Sequence, residues 1–216
     1  MRLIVPPGVF RPISDTRLLA LALEREELRP GARVLDLCTG SGALAVGAAL
    51  GGPREVWAVD VSRRAVWTVR LNAALNGVRV RVRRGDLFAA VAGERFDAIV
   101  SNPPYVPGAD PPARGLARAW DAGRDGRALL DRICAGAAAH LRPGGRLLVV
   151  HSAMLGVEHT ARAARGLSVD VVARERGPLG PLMRARREHL EAAGMLAPGE
   201  DEEEVVVVRA AQPVVR

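Results

Sequence analysis

The tetrapeptide Asn102-Pro103-Pro104-Tyr105 combines hydrogen-bond acceptors and a flat ring on a restricted backbone. An asparagine carbonyl oxygen can accept one N–H of a planar nitrogen, and the backbone carbonyl of Pro103 can accept the other. Each proline fixes its own φ and restrains the preceding residue, which holds these acceptors in place. The Tyr105 ring offers a face for a planar group. The pattern predicts a site that orients a nitrogen carrying two N–H groups and disperses positive charge developing on it. Taken alone, the same residues also suit an ordinary turn.

A loop of small residues, Asp36-Leu37-Cys38-Thr39-Gly40-Ser41-Gly42, lies upstream between an apolar strand and a helix. Glycines let the backbone approach a ligand closely, and the start of a helix offers unpaired N–H groups. A tight strand-to-helix turn also uses glycine for geometry alone, so both interpretations stay open for this loop by itself. The candidate binding residues here are Asp36, Thr39, Gly40 and Gly42.

Two further acids follow the next two predicted strands. Asp60 ends the first, where a carboxylate can accept hydrogen bonds from both hydroxyls of a ribose, with Val61 beside it. Asp86 follows the second, and with Leu87 it is placed to meet the edge and face of an adenine. A dinucleotide dehydrogenase also places an acid at the first position, but the loop lacks the full GxGxxG pattern. Three strand ends meeting one ligand favour S-adenosyl-L-methionine over NAD, although Asp86 could also serve only to cap a turn.

Strands and helices alternate along the chain, which predicts an α/β fold. The expected architecture is a mostly parallel, seven-stranded, Rossmann-like sheet with helices on both faces. The predicted strands are 34–37, 56–60, 78–83, 96–101 and 146–150, the last preceded by a turn at 143–145. The predicted helices are one capped by Ser14 or Asp15 and ending near Glu27, one at 43–50, one capped by Ser62 and ending at Asn76-Gly77, and one at about 125–140.

Valines and arginines alternate strictly at 78–83, which is typical of an edge strand with one face in water. Two later strands, 169–173 and 205–208, are expected to close the sheet as an antiparallel pair. Between them, residues 174–204 are expected to form an insertion with a basic helix near 183–193 and an acidic loop at 200–204. We expect a single domain over 1–216, opened by a helical segment at 1–30.

These residues together resemble the HemK-like class I methyltransferases, which methylate the side-chain amide of glutamine in release factors. The resemblance begins at Pro12-Ile13-Ser14-Asp15-Thr16 and runs through the motifs above into the segment 119–127, which is similar to a Trp-x-x-Gly-x-x-Gly segment. It implies that Asp15 and Thr16 lie near the methionine end of the cofactor and that Asn102 meets both cofactor and target nitrogen. Cys38 departs from the family pattern, which has a glycine there. The short branch without an N-terminal helical domain fits this length best, and relatives of this branch often use a small zinc-binding activator paired along the edge of the third strand.

The amino-acid composition gives little information about the binding partners of the protein. The formal net charge is +7, yet every basic residue is arginine, which indicates codon bias as readily as a nucleic-acid surface. The two cysteines and four histidines lack metal-ligand spacing, so no metal site is expected. No apolar run reaches the length of a membrane span, so we expect a cytoplasmic protein without membrane contact.

The leading hypothesis is a protein methyltransferase acting on a glutamine amide, for instance in a translation factor. An N6-adenine methyltransferase on DNA or RNA is the first alternative, because an exocyclic amine presents the same two N–H groups. An enzyme that methylates a small molecule or peptide is the second, with the basic insertion as a lid. A cofactor-binding scaffold without activity is the non-enzymatic alternative.

Overall fold

The computed structural model describes residues 1–52, 55–108 and 116–212. Within these ranges seven strands form one sheet in the order β3-β2-β1-β4-β5-β7-β6. The strands are β1 Arg33–Leu37, β2 Glu55–Asp60, β3 Val80–Arg84, β4 Phe96–Ser101, β5 Leu141–Ser152, β6 Ser168–Pro178 and β7 Glu202–Ala211. The first five run parallel, whereas β7 lies antiparallel between β5 and β6. The predicted α/β class and the closing antiparallel pair are confirmed.

Helices cover both faces of the sheet because its central strands are apolar on both sides. They are α1 Ser14–Arg25, α2 Ala43–Leu50, α3 Arg63–Leu75, α4 Leu130–His140, α5 Val157–Ala163, α6 Pro181–Arg184 and α7 Arg187–Ala192. In β1, Val34 packs with residues of α1, α2 and α3, while Leu35 packs on the opposite face with residues of α4. The sheet is therefore enclosed between two helical layers, which leaves the ends of its strands accessible to a ligand.

The third strand is an edge strand, as its alternation predicts. Val80 and Val82 are half-buried toward the helical side, whereas Arg81 and Arg83 are exposed. Both arginines lie over the Trp57 ring, with the guanidinium carbons 5.3 and 5.7 Å from the ring centroid. The arginine side chains therefore cover an aromatic residue of β2 as well as facing solvent.

Several local predictions at helix ends need correction. Ser62 caps α3 as predicted, because its hydroxyl accepts a hydrogen bond from the Ala65 amide. Ser14 and Asp15 do not cap α1; they are its first residues, and the Asp15 side chain accepts from Ser14 and from Tyr105 instead. Helix α4 begins at Leu130 and not near Asp125, because the chain first makes a turn.

The C-terminal third also differs from the prediction in its boundaries. Residues 143–145 lie within β5 at an irregularity in its pairing and do not precede the strand. Strands β6 and β7 extend toward each other, so the segment between them is 179–201 and not 174–204. Charged residues predicted to form a loop instead pair across the two strands, as Arg176 does with Glu202. The predicted basic helix is two short ones, α6 and α7.

No helix in the described ranges is long and apolar enough to cross a membrane.

Candidate active site

A cavity of about 480 Å³ opens at the carboxyl ends of the parallel strands. Its walls come from the segment before α1, from the loops that follow β1 to β4, and from the β6–β7 hairpin. This is where an open α/β sheet exposes a crevice for a ligand. Among the residues predicted from sequence, those on the wall are Asp15, Gly40, Asp60, Val61, Asp86, Leu87, Asn102, Pro103 and Tyr105.

The loop after β1 is stabilised by a buried carboxylate. Asp36 Oδ2 accepts hydrogen bonds from Thr39 Oγ1 at 2.6 Å and from the Ala45 amide at 3.1 Å. Burial raises the pKa of Asp36 to about 7, against the effect of those two bonds. Asp36 and Thr39 therefore stabilise the loop and do not line the cavity. This placement differs from the direct contact with the cofactor that was predicted for them.

Glycine is required at Gly42 for packing as well as for backbone shape. Its φ is +82°, and a Cβ there would lie 3.0 Å from the Val69 side chain. Gly42 thus permits close contact between the loop and α3 and does not reach the cavity wall. Cys38, which stands where the family pattern has glycine, also has a positive φ of 59°. The side chain at Cys38 lines the cavity without closing it.

Asp60 is presented at the end of β2 by two backbone amides. Gly40 N–H donates to Oδ2 at 3.0 Å and Ser62 N–H donates to Oδ1 at 2.8 Å. Each carboxylate oxygen keeps a second lone pair for a ligand. Burial raises the pKa of Asp60, while these amide bonds act in the opposite direction. The carboxylate is fixed in orientation and faces the cavity, as a ribose-binding group requires.

The loop after β3 carries Asp86 and Leu87 at the next position along the cavity. Asp86 forms an ion pair with Arg132 of α4, with 2.7 Å between Nη2 and Oδ2. Both side chains are about half exposed, so the pair is screened by water. Leu87 has a positive φ of 47°. Arg132 was not predicted from sequence, because it lies 46 residues from Asp86 in the chain.

The tetrapeptide is oriented by two residues at the start of α1. Asn102 Nδ2 donates to Thr16 Oγ1 at 3.1 Å, which leaves Oδ1 as the acceptor. The Tyr105 hydroxyl donates to Asp15 Oδ2. Burial, followed by the nearby Asp15 charge, raises the pKa of Tyr105 well above its usual value, so the hydroxyl stays protonated. Thr16 itself is buried behind Asn102 and does not line the cavity.

The segment 119–127, singled out by resemblance, supports the tetrapeptide from its other side. Val106 N–H donates to the Trp120 carbonyl at 2.9 Å, and Trp120 lines the cavity. A Cβ at Gly126 would lie 2.5 Å from the Tyr105 carbonyl oxygen. The segment therefore fixes the backbone that follows Tyr105.

Sequence reasoning missed the contribution of the β6–β7 hairpin. Glu203 of β7 and residues 180–183 line the cavity on the side of Tyr105. The hairpin is anchored by Arg186, which donates to the Pro107 carbonyl at 3.0 Å and pairs with Asp121. The available signal was the alternation along β7, which puts Glu203 on the same face as Val205.

The cavity suits a cationic ligand better than an anionic one. Five carboxylate residues line it against two arginines, together with apolar side chains near Asp60 and Leu87; the acids are Asp15, Asp60, Asp86, Glu175 and Glu203, and the bases are Arg118 and Arg132. In the described part of the chain, no group of three or more His, Cys, Asp or Glu is placed to hold a metal ion. The excess of carboxylates favours a ligand with a net positive charge.

The strand order and a cavity of this composition define a class I methyltransferase, an enzyme whose methyl donor is S-adenosyl-L-methionine. The chain belongs to the family described as the methyltransferase small domain, which it matches over residues 1–177.

Named relatives narrow the group within this family. The chain is 45% identical over 154 residues to the release factor glutamine methyltransferase of Bordetella pertussis, covering 67% of this chain and 57% of that one. It is 32% identical over 187 residues to a protein named as a putative N5-glutamine methyltransferase in Methanocaldococcus jannaschii, covering 85% and 93%. The resemblance to HemK-like methyltransferases is confirmed. The chain spans little more than half the length of the Bordetella enzyme.

The chain shares its fold with a solved structure. The E. cuniculi Mtq2–Trm112 complex, responsible for methylation of the eRF1 translation termination factor, superposes with a TM-score of 0.66 and 23% identity. The match covers 95% of this chain and 99% of that one. At this identity, the likeness establishes the fold.

Proposed function

We propose that this methyltransferase acts on the side-chain amide nitrogen of a glutamine in a protein. The main supporting observation is the hydrogen bond from Asn102 Nδ2 to Thr16 Oγ1. Because the amide nitrogen donates in this bond, the carbonyl oxygen Oδ1 is directed to accept a hydrogen bond from the substrate. With the Pro103 carbonyl as a second acceptor, the site matches a planar nitrogen that bears two N–H groups. Relatives named for release factors and for ribosomal protein uL3 supply the class of substrate.

The positions of the cavity residues support the following cofactor assignments. Asp60 binds the ribose hydroxyls, Val61 and Leu87 pack on the adenine, and Asp86 accepts from its edge. Asp15 lies toward the methionine end and also fixes Tyr105. Asp36, Thr39, Gly40 and Gly42 hold the loop so that its backbone meets the donor.

The bound donor supplies an activated methyl group on sulfur. Asn102 and Pro103 hold the target nitrogen in line with that methyl group and disperse the positive charge that develops on nitrogen. Tyr105 provides the face on which the planar amide packs, with its ring fixed by Asp15. Catalysis by this arrangement is mostly positioning, which can lower a barrier by roughly 7–11 kcal/mol.

A defined acceptor series tests the proposal. We expect methylation of an extended peptide with one exposed glutamine, and no methylation of the same peptide with glutamate there. Glutamate lacks the two N–H groups, so discrimination of roughly 10⁴–10⁵ is expected, as in sites that lose partner hydrogen bonds. Asn102→Ala serves as the matched inactive control.

Fractionated lysate with radiolabelled donor tests the class of acceptor without any prior choice. Label that survives nuclease and is lost on protease treatment supports a protein substrate. Label lost on nuclease treatment would contradict it and support an adenine acceptor, and label in small molecules would support a tailoring enzyme. A translation-related protein substrate would place the enzyme in the cytoplasm.

An activator subunit is part of the proposal, and we place it at the edge formed by β3 and α3. The outer side of β3 has no neighbouring strand in the described sheet. On α3, Trp67, Leu71 and Leu75 recur every four residues and are 71%, 47% and 41% exposed. A Trp67→Glu variant is expected to keep its donor affinity and to lose co-purification with a small zinc-binding protein. Unchanged co-purification would contradict this placement.

A further inference from the structure

Glu203 differs from its two acidic neighbours in where its side chain goes. Glu202 pairs with Arg176 at 2.7 Å and Glu204 with Arg174 at 2.6 Å, both across the β6–β7 ladder. Because strand residues alternate between faces, Glu203 is directed to the other side, where it lines the cavity. Glu203 is therefore the acid of this run that a ligand in the cavity can meet.

The carboxylate of Glu203 is only partly satisfied. Oε1 accepts a hydrogen bond from the Gly180 amide at 2.9 Å. Oε2 is buried with no hydrogen-bond partner of normal geometry among the described residues, although the nearby Ser152 hydroxyl acts to lower the pKa of Glu203. The titratable groups that share its side of the cavity are Asp15 from α1, Tyr105 after β4 and Glu175 of β6. Burial raises the pKa of Glu203, and the charge of Asp15 acts in the same direction.

Methylation of an amide nitrogen leaves a surplus proton on that nitrogen. The residues given roles so far are poorly suited to accept it. When the lone pair forms the N–CH₃ bond, the S–CH₃ bond breaks with its electron pair going to sulfur, and nitrogen carries the positive charge. Asn102 and Pro103 contribute carbonyl oxygens, which accept a hydrogen bond and are very weak bases. Asp15 is assigned toward the methionine end of the donor, and both of its oxygens accept from hydroxyls, those of Ser14 and Tyr105.

We propose that Glu203 is a catalytic residue whose carboxylate faces the target nitrogen, stabilises its positive charge and accepts the departing proton. The inference rests on the proposed function, since it concerns the nitrogen that Asn102 holds. The N–H bond electrons return to nitrogen, which restores a neutral N-methyl amide. The protonated carboxyl group then releases its proton to solvent through the open side of the cavity.

Glu203→Gln tests the proposal, with Glu204→Gln as the matched control on the same strand. We expect kcat of Glu203→Gln to fall roughly 10²–10⁴-fold, in the range of general acid–base catalysis. Wild-type kcat is expected to rise with pH through the raised pKa of Glu203 and then level off. Glu204→Gln should keep this limb of the profile, and Glu203→Gln should lack it.

Binding measurements separate this role from a structural one. By calorimetry, Glu203→Gln should bind S-adenosyl-L-methionine with wild-type affinity. With S-adenosylhomocysteine present, it should bind the glutamine peptide within about threefold of wild type, because glutamine keeps an acceptor oxygen. Loss of donor affinity would instead assign Glu203 to the cofactor and overturn the proposal.

The remaining outcomes distinguish failure of the role assigned to Glu203 from failure of the proposed function. If the wild-type protein is active and Glu203→Gln is equally active, the role of Glu203 is refuted and the proposed function stands. A pH profile of Glu203→Gln that matches the wild-type profile refutes that role in the same way. If the wild-type protein transfers methyl groups to no glutamine acceptor, the proposed function fails, and the inference that rests on it fails as well.

Discussion

Replacing Asp36 with asparagine should make the protein more stable relative to wild type as pH rises. Asp36 is fully buried, and its pKa is about 7 in the folded protein against 3.8 for an ordinary aspartate. Between these values, the folded state holds a proton that the unfolded chain has lost. The free energy of unfolding therefore decreases as pH rises through this window, and it is constant above it with respect to this group. An asparagine side chain cannot ionise and avoids that loss.

The size of the effect follows from the two pKa values. At about 1.36 kcal/mol per pH unit, the displacement of Asp36 corresponds to about 4 kcal/mol, of which about 3 kcal/mol falls between roughly pH 4.5 and 8. Asparagine keeps an oxygen for the bonds from Thr39 and Ala45. Its amide nitrogen takes the place of Oδ1, which is buried without a partner among the described residues. A constant offset is therefore expected beneath the pH-dependent difference.

Urea unfolding of wild type and Asp36→Asn at a series of pH values from about 4.5 to about 8.5 measures this difference. Asp97→Asn is the control, because hydrogen bonds from the Arg33 amide and from Arg29 outweigh burial and lower the pKa of Asp97. Its destabilisation should stay constant over the same range. A stability difference for Asp36→Asn that does not change with pH would show that Asp36 is ionised in the folded protein, and the reasoning would be wrong.

Three other substitutions test the site. Asp60→Ala should weaken donor binding at least about 100-fold by calorimetry, since two charge-assisted hydrogen bonds are lost; unchanged affinity would remove the ribose assignment. Asn102→Ala should bind the donor normally and lose roughly 10²–10³ in kcat, and an active variant would overturn the mechanism. Gly126→Ala should lower the free energy of unfolding by about 2 kcal/mol and reduce kcat more than donor affinity. The reason is that a Cβ there would lie 2.5 Å from the Tyr105 carbonyl oxygen. Equal losses in kcat and in donor affinity would show that the substitution does not act through Tyr105.

Local signals in the sequence were sufficient for most of the fold. The N-cap at Ser62 and the apolar run 43–50 define their helices, because both depend on neighbours within a few residues. The acids Asp60 and Asp86 could be placed in one cavity, because the carboxyl ends of parallel strands share one edge of the sheet.

Contacts between distant residues could not be predicted in the same way. The bond between Thr16 and Asn102 joins positions 86 residues apart, and it turns a residue expected near the cofactor into one that orients the acceptor. Glu203 was hidden in an acidic run typical of a loop. Alternation along β7 separates Glu203 from Glu202 and Glu204, but the extension of β7 to Glu202 depends on its pairing with β6.

The distribution of charge connects the fold with the choice of acceptor. The chain has a formal net charge of +7, yet many arginines are neutralised or covered, as Arg146 and Arg209 are by the buried Glu26. The cavity has the opposite character, with more carboxylates than arginines. Under the proposed function, a glutamate side chain entering beside Asp15 and Glu203 would meet like charges, whereas a glutamine amide offers its N–H groups to the Asn102 and Pro103 oxygens. Under the proposed function, Asp15 and Asp60 favour the cationic donor over its neutral product and Glu203 acts on the acceptor, so the carboxylates of one cavity promote donor binding, product release and selection of an amide over an acid.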